Sequence, residues 1–144
     1  MGRITITLLL LLGWLVTPAS AVIPPLPVDI LSPTGEMVGK AMIYSNYVEI
    51  FDGTDRRRGA IGIVQVEGLA QLWLLRADGE RTLVGTAQNH RMFDNAGKLI
   101  GFFQWTPIWS YVYDKSVKKM GKAQCLAYQG VCAAGVAGYL LGLY

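Results

Sequence analysis

The sequence predicts an all-β fold made of about five short β-hairpins set around a pseudo-symmetry axis. The first observation behind this is the stretch Arg91-Met92-Phe93-Asp94-Asn95-Ala96-Gly97-Lys98-Leu99-Ile100-Gly101-Phe102. Asp at the first corner and Gly at the fourth suit a type I turn closed by a positive-φ residue, and apolar runs on both sides make it a hairpin. The second observation is recurrence. Ile30–Gly39, Ile50–Gly59, Leu74–Gly79 running on to Val84-Gly85, Asp94–Gly101 and Val112–Gly121 align on the same turn. Their closing glycines, Gly39, Gly59, Gly85, Gly101 and Gly121, give a period of about 20 residues, within the range of repeat architectures. The third is physical: a lone hairpin is marginal in water, so units this short must pack on one another. A glycine recurring after the second apolar run marks close backbone approach or a bend at each corner.

Taken from the start, the chain opens as a secretory signal over residues 1–21. Arg3 supplies the positive start, Leu8 to Val16 the apolar stretch, and Ala19-Ser20-Ala21 the small-residue cleavage site after Pro18. Cleavage there leaves a mature chain beginning at Val22; an uncleaved anchor is the competing reading. Residues 22–27, Val22-Ile23-Pro24-Pro25-Leu26-Pro27, form a proline-stiffened lead-in, a spacer or an edge covering. The hairpin domain is expected over 28–144. About 120 residues suffice for one domain.

Charge excludes some classes of partner. Only 16% of residues are charged, against about a quarter in typical domains, and losing Arg3 takes the formal balance from +3 to +2. No dense basic face for nucleic acid follows from this. Arg56-Arg57-Arg58 lies in a predicted hairpin tip, where charge is ordinarily solvated; an anionic docking point is the other reading.

Candidate chemistry is sparse. His90 is the only histidine, with no neighbouring ligands for zinc and no sign of a nucleophile and orienting carboxylate, so it is read as structural or incidental. Asp52, Asp94 and Asp114 occupy equivalent turn positions and are read as turn-formers, because Asp caps backbone N–H groups two residues on. No catalytic residue, cofactor or metal site is expected.

The segment Phe102-Phe103-Gln104-Trp105-Thr106-Pro107-Ile108-Trp109-Ser110-Tyr111-Val112-Tyr113 departs most from the repeat. Its aromatics suit strand packing, and equally a sugar-stacking or partner-binding patch. Trp105 and Trp109, flanking Pro107, are the candidate exposed pair for a protein or glycan partner.

Cys125 and Cys132 both fall in the exported part, where an oxidising compartment favours a disulfide. Their spacing is not that of a redox Cys-x-x-Cys motif. Tyr128-Gln129-Gly130-Val131 between them is expected to turn and bring two flanking strands face to face.

Residues 125–144 carry no charge, and Gly130, Ala134, Gly138 and Gly142 recur every fourth residue. That stripe resembles packed membrane helices. Lys118, Lys119 and Lys122 would then lie on the exported side, against the positive-inside tendency. A buried closing strand is the preferred reading, its glycines leaving room at a crowded axis.

With Asp-x-x-Gly turns, the apolar-Gly endings and the Ala-rich tail Cys132-Ala133-Ala134-Gly135-Val136-Ala137-Gly138-Tyr139-Leu140-Leu141-Gly142-Leu143-Tyr144 in view, the chain from Val28 to Tyr144 resembles the five-fold β-flower proteins of bacteria. The resemblance implies hairpins around a pseudo-symmetry axis and brings no catalytic or binding residues. Three departures stand out: Asp55 and Val117 replace the turn glycine in the second and fifth copies, and the third copy carries two extra residues.

The functional expectation is an exported (periplasmic or extracellular) β-repeat scaffold or binding module of non-enzymatic character. The alternative is an envelope component associated with the membrane through 125–144. A glycan-cleaving enzyme is the weaker third class, since repeat-equivalent Asp residues are poorly placed to acquire unequal pKa values.

Overall fold

The computed structural model describes residues 24–66 and 69–144. The expected signal segment and the first residues of the lead-in lie outside them. Ten antiparallel strands close into one barrel: β1 (Leu26–Leu31), β2 (Met37–Ile43), β3 (Tyr47–Asp52), β4 (Arg57–Val66), β5 (Leu69–Leu75), β6 (Arg81–Gln88), β7 (Arg91–Asp94), β8 (Leu99–Trp105), β9 (Ser110–Asp114) and β10 (Lys119–Ala123). The five hairpins β1–β2, β3–β4, β5–β6, β7–β8 and β9–β10 follow one another around the axis, and β10 returns to pair with β1 at Ile30↔Ala123 and Leu31↔Lys122. Closure gives most strands two neighbours and removes long open edges. The barrel begins earlier than expected: Leu26 and Pro27 belong to β1, opposite Ile43 and Met42, rather than to a free lead-in.

The tips are five copies of one turn. Ser32, Asp52, Arg76, Asp94 and Asp114 each accept from the N–H three residues on at 2.9–3.1 Å and donate to the carbonyl four residues on at 2.7–2.9 Å. The closing position is left-handed in all five: Gly35, Gly79 and Gly97 at φ 92°, 88° and 82°, Asp55 at 61° and Val117 at 64°. The two departures from glycine thus occupy the same strained conformation as the glycines they replace. Asp side chains complete the turn. The Oδ1 of Asp94 accepts from the N–H groups of Ala96 and Lys98, that of Asp114 from Ser116 and Lys118, and that of Asp52 from Thr54 and Arg56, all at 2.9–3.0 Å.

Each closing glycine follows a β-bulge. The pairing skips Val38, Arg58, Val84, Ile100 and Met120, so that Ile30, Ile50, Leu72, Met92 and Val112 stand opposite Gly39, Gly59, Gly85, Gly101 and Gly121. The third hairpin keeps its bulge, and its extra residues lengthen both strands between bulge and tip, adding Leu74↔Thr82 and Leu75↔Arg81 to the ladder.

Within 125–144 the stretch Cys132–Gly138 is buried, as expected, but the segment is not a strand. Gln129–Leu140 form a helix, α1, that runs inside the barrel, with every residue from Cys132 to Gly138 buried. It packs against inward side chains such as Val48, Ile50, Met92, Phe103 and Val112 in a single core. A Cβ on Gly135 would overlap the Val48 side chain, so the small residues let strand and helix approach. A lumen filled by side chains from ten strands alone would leave its centre empty, and a slim Ala/Gly helix fills it.

The two barrel ends differ. At the tip end, Tyr139, Leu140, Leu141 and Leu143 spread outward from the helix, each against one closing glycine: Gly39, Gly121, Gly101 and Gly85. A Cβ on Gly39, Gly85, Gly101 or Gly121 would collide both with that side chain and with a backbone carbonyl of the adjoining hairpin's first strand. Close approach explains these glycines, as the repeat pattern predicts. At the other end, the mouth, lie the hairpin-to-hairpin connections and the segment 124–128 that turns the chain into the lumen.

Candidate functional site at the barrel mouth

The mouth is built from β6, β7, β8 and the first turn of α1. Asn89 and His90 make the two-residue connection between Gln88 and Arg91, which pair across it. Both are left-handed, at φ 52° and 64°, as a type I′ hairpin turn requires. The His90 carbonyl accepts from the Phe103 N–H at 2.9 Å, tying the turn to β8. Strand alternation turns Gly101, Phe103 and Trp105 of β8 to the inner side, the last of them at the rim.

Three rings meet there nearly parallel. The His90 imidazole lies 4.5 Å from the Trp105 ring and 5.6 Å from Phe103, with interplanar angles of 18° and 7°. Phe103 and Trp105 are 5.8 Å apart at 20°. Phe103 is buried, His90 is exposed and Trp105 keeps 37% of its surface in solvent. The rings therefore form one wall, dry at the base and wet at the rim.

Beside them is a cleft of about 210 Å³ lined by Ala70, Ala87, Gln88, Asn89, His90, Phe103, Trp105, Gly130 and Ala134. Its floor is the start of α1, where a Cβ on Gly130 would meet nothing within 4 Å. No side chain caps that helix end, and its first turn has no acidic residue. Backbone N–H groups of the first helical turn thus lack helix partners. No Asp, Glu, Lys or Arg lines the cleft.

Sequence reasoning expects Trp105 and Trp109 to form one exposed pair, and the structure separates them. Trp109 is half-buried beneath the Lys122 ammonium, 4.4 Å from its ring centre. It lines a different groove with Pro27, Val28, Asp29, Leu31, Gln124 and Leu126, beside the β1–β10 seam. The Thr106–Trp109 connection causes the split: Thr106 accepts from the Ile108 and Trp109 N–H groups and bonds back to the Trp109 carbonyl at 2.7 Å. Ile108 is left as the exposed apex, at 52%. His90, read from sequence as structural or incidental, is part of the aromatic wall. The local signal, Asn-His between strand-forming runs, marks a two-residue hairpin turn but not the ring that His90 meets.

Cys125 and Cys132 are bonded. They do not join two strands, as the expected turn at 128–131 would require. The bond links the chain leaving β10 to the first turn of α1, which Tyr128 opens at φ 47° and ψ 48°. It staples the helix start to the barrel rim and so fixes the cleft floor.

Among the described residues no group of three or more His, Cys, Asp and Glu side chains could hold a metal ion. The turn carboxylates lie at the hairpin tips, engaged with their own backbone. Asp52 is held below the usual carboxylate range, chiefly by the hydrogen bond from the Thr54 hydroxyl. Comparison with known proteins returns no match: no family model, no curated protein and no solved structure matches the chain significantly.

Proposed function

We propose that the protein is an exported, non-enzymatic β-barrel binding module related to the five-fold β-flower proteins, and that it engages its ligand at the mouth. The observation that carries this reading is the difference in chemistry between the ends. At the tip end Tyr139, Leu140, Leu141 and Leu143 pack against glycines beside a groove of about 500 Å³ lined by Asp52, Arg58 and Tyr139 among others, whereas the mouth cleft is walled by the stacked rings of His90 and Trp105. Export draws support from the signal-like first 21 residues and from the Cys125–Cys132 bond, since disulfides persist in oxidising compartments.

What weighs against the alternative, a membrane component anchored through 125–144, is where that segment sits. Its helix has 12 residues and is enclosed by the barrel, whereas a span needs about 20 residues facing lipid. Among the described residues no helix is long and apolar enough to cross a membrane.

Heteronuclear NMR of the mature chain, titrated with soluble oligosaccharides and with a panel of extended peptides, tests the reading. Shift changes should cluster at Asn89, His90, Trp105 and Gly130. Changes clustered at the hairpin tips would contradict it. Mass spectrometry of the exported protein should give a chain beginning at Val22; a mass that includes Met1 would contradict export with cleavage.

A further inference from the structure

The mouth cleft has the makings of a site for one kind of molecule. Resting on the mouth-binding reading above, we propose that the cleft binds an uncharged pyranose unit, stacked at the His90–Trp105 wall and hydrogen-bonded by polar groups of Gln88 and Asn89. Four observations converge on this.

The first is the wall. Near-parallel rings with an exposed rim present a flat apolar surface backed by buried Phe103. The axial C–H groups of a pyranose offer a matching flat apolar patch, and aromatic side chains bury large area at small entropic cost.

The second is the polar complement. Gln88 and Asn89 line the cleft, and their backbone and side-chain amides include donors and acceptors to match sugar hydroxyls, themselves both donors and acceptors. The N–H groups of the α1 first turn add further donors from the floor. With no Asp, Glu, Lys or Arg side chain in the lining, the cleft offers no ion-pair partner to a ligand, and a neutral one leaves no side-chain charge uncompensated.

The third is size. About 210 Å³ lies below the range of clefts that enclose drug-sized ligands, roughly 300–1,000 Å³, and suits a single ring with its neighbours in solvent. An end-on or side-on residue of a longer glycan fits this geometry.

The fourth is backbone strain. In a two-residue I′ turn glycine is the favoured second residue, and here it is His90, at φ 64°. A side chain held in left-handed backbone is the kind of outlier that clusters at binding sites. The strain places an imidazole on Trp105, which glycine could not do.

The same features supply the test. His90→Gly removes the ring while easing the turn, so folding stability should hold or rise. Gly130→Leu projects a side chain into the open floor, replaces a helical glycine by a better helix former, and blocks the cleft. Trp105→Ala removes the wall, and Trp109→Ala serves as the control outside the cleft. Calorimetric and NMR titration of the mature protein would use chitotetraose, cellotetraose and maltotetraose, with tetragalacturonate as the charged arm and the extended-peptide panel as the non-sugar arm.

The expected result is saturable, weak binding of at least one neutral tetrasaccharide, shifting Trp105 and His90. It should fall about tenfold or more in His90→Gly, Trp105→Ala and Gly130→Leu and stay unchanged in Trp109→Ala. Tighter binding of tetragalacturonate than of every neutral probe would overturn the uncharged assignment. Peptide binding at Trp105 without sugar binding would overturn the sugar and leave the mouth as the binding end. Sugar binding untouched by the three cleft variants would place the site elsewhere and overturn both. Absence of any shift at Trp105 or His90 with every probe would likewise remove both.

Discussion

Tyr139 and Val38 stand 101 residues apart in the chain and are joined by a hydrogen bond of 2.9 Å from the tyrosine hydroxyl to the valine carbonyl. Val38 is the residue skipped by the first bulge, and a bulged residue has lost its ladder partner. The end of the axial helix thus repairs the backbone defect of the first hairpin, while its ring lies over the neighbouring Gly39.

Tyr139→Phe should therefore destabilise the barrel by about 1 kcal/mol, because it removes the hydrogen bond to a half-buried carbonyl. Gly39→Val should cost as much or more, since even a Cβ would stand 2.9 Å from the Phe51 carbonyl oxygen and 2.8 Å from the Tyr139 ring. Urea unfolding of the purified domain measures both. A neutral Gly39→Val would mean that the helix end is not seated on the bulge.

At the tips the sign of a glycine substitution should depend on where it is made. Val117→Gly should stabilise by about 1 kcal/mol, because a β-branched residue there sits in left-handed backbone at φ 64° and is 68% exposed. Gly97→Val should destabilise by about the same amount. Asp94→Asn and Asp114→Asn should be near neutral, since Asn keeps the acceptor for both backbone N–H groups. Thermal melts of the four variants check the set; a destabilising Val117→Gly would break the equivalence of the five turns.

Reducing the Cys125–Cys132 bond should lower stability by about 2.5 kcal/mol, the value for a loop this short, and loosen the start of α1 more than the barrel strands. Alkylation of the folded protein without reductant should label neither thiol. Full labelling would remove the staple.

Two tyrosines set an alkaline limit. The hydroxyl end of Tyr144 is enclosed against Gly135 and Gly138, with its proton donated to the Gly135 carbonyl, and burial pushes its phenol far above the ordinary value of 10.0. Burial raises Tyr139 as well. A group raised in the folded state contributes stability that is fully present below its unfolded value and is lost as pH climbs beyond it, because the unfolded chain releases the proton first. Stability should therefore fall above pH 10.0, and Tyr144→Phe should flatten that slope whatever it does to stability at neutral pH. Equal slopes in the two proteins would contradict the enclosure.

The parts of this fold that are legible in sequence are those determined by local chemistry. Asp94 to Gly101 announces its turn and bulge because the caps, the left-handed residue and the close-approach glycine lie within a few positions of one another. Even Asp55 and Val117, which break the glycine rule, keep the turn because their neighbours still demand it. The helix was hidden for a physical reason. Enclosed on all sides, Cys132–Gly138 has no polar face, so no 3.6-residue alternation betrays it, and its fourfold spacing of small residues imitates a membrane span. Burial was readable there and conformation was not. At the mouth, aromatic content pointed to β8 and β9, but the Thr106–Trp109 connection decides which tryptophan faces the cleft. His90 joins Trp105 only across a strand pairing that no local pattern prints.

The position of the helix inside the barrel underlies both the packing against the tip-end glycines and the cleft floor at the mouth. Amide hydrogen exchange of the mature protein in aqueous buffer, read at Cys132 to Gly138, tests it most directly. The enclosed helix predicts protection there equal to that of the core strand residues Ile50, Ile61 and Leu72 and lost only with global unfolding. Rapid exchange across Cys132–Gly138 while those strands stay protected would contradict it.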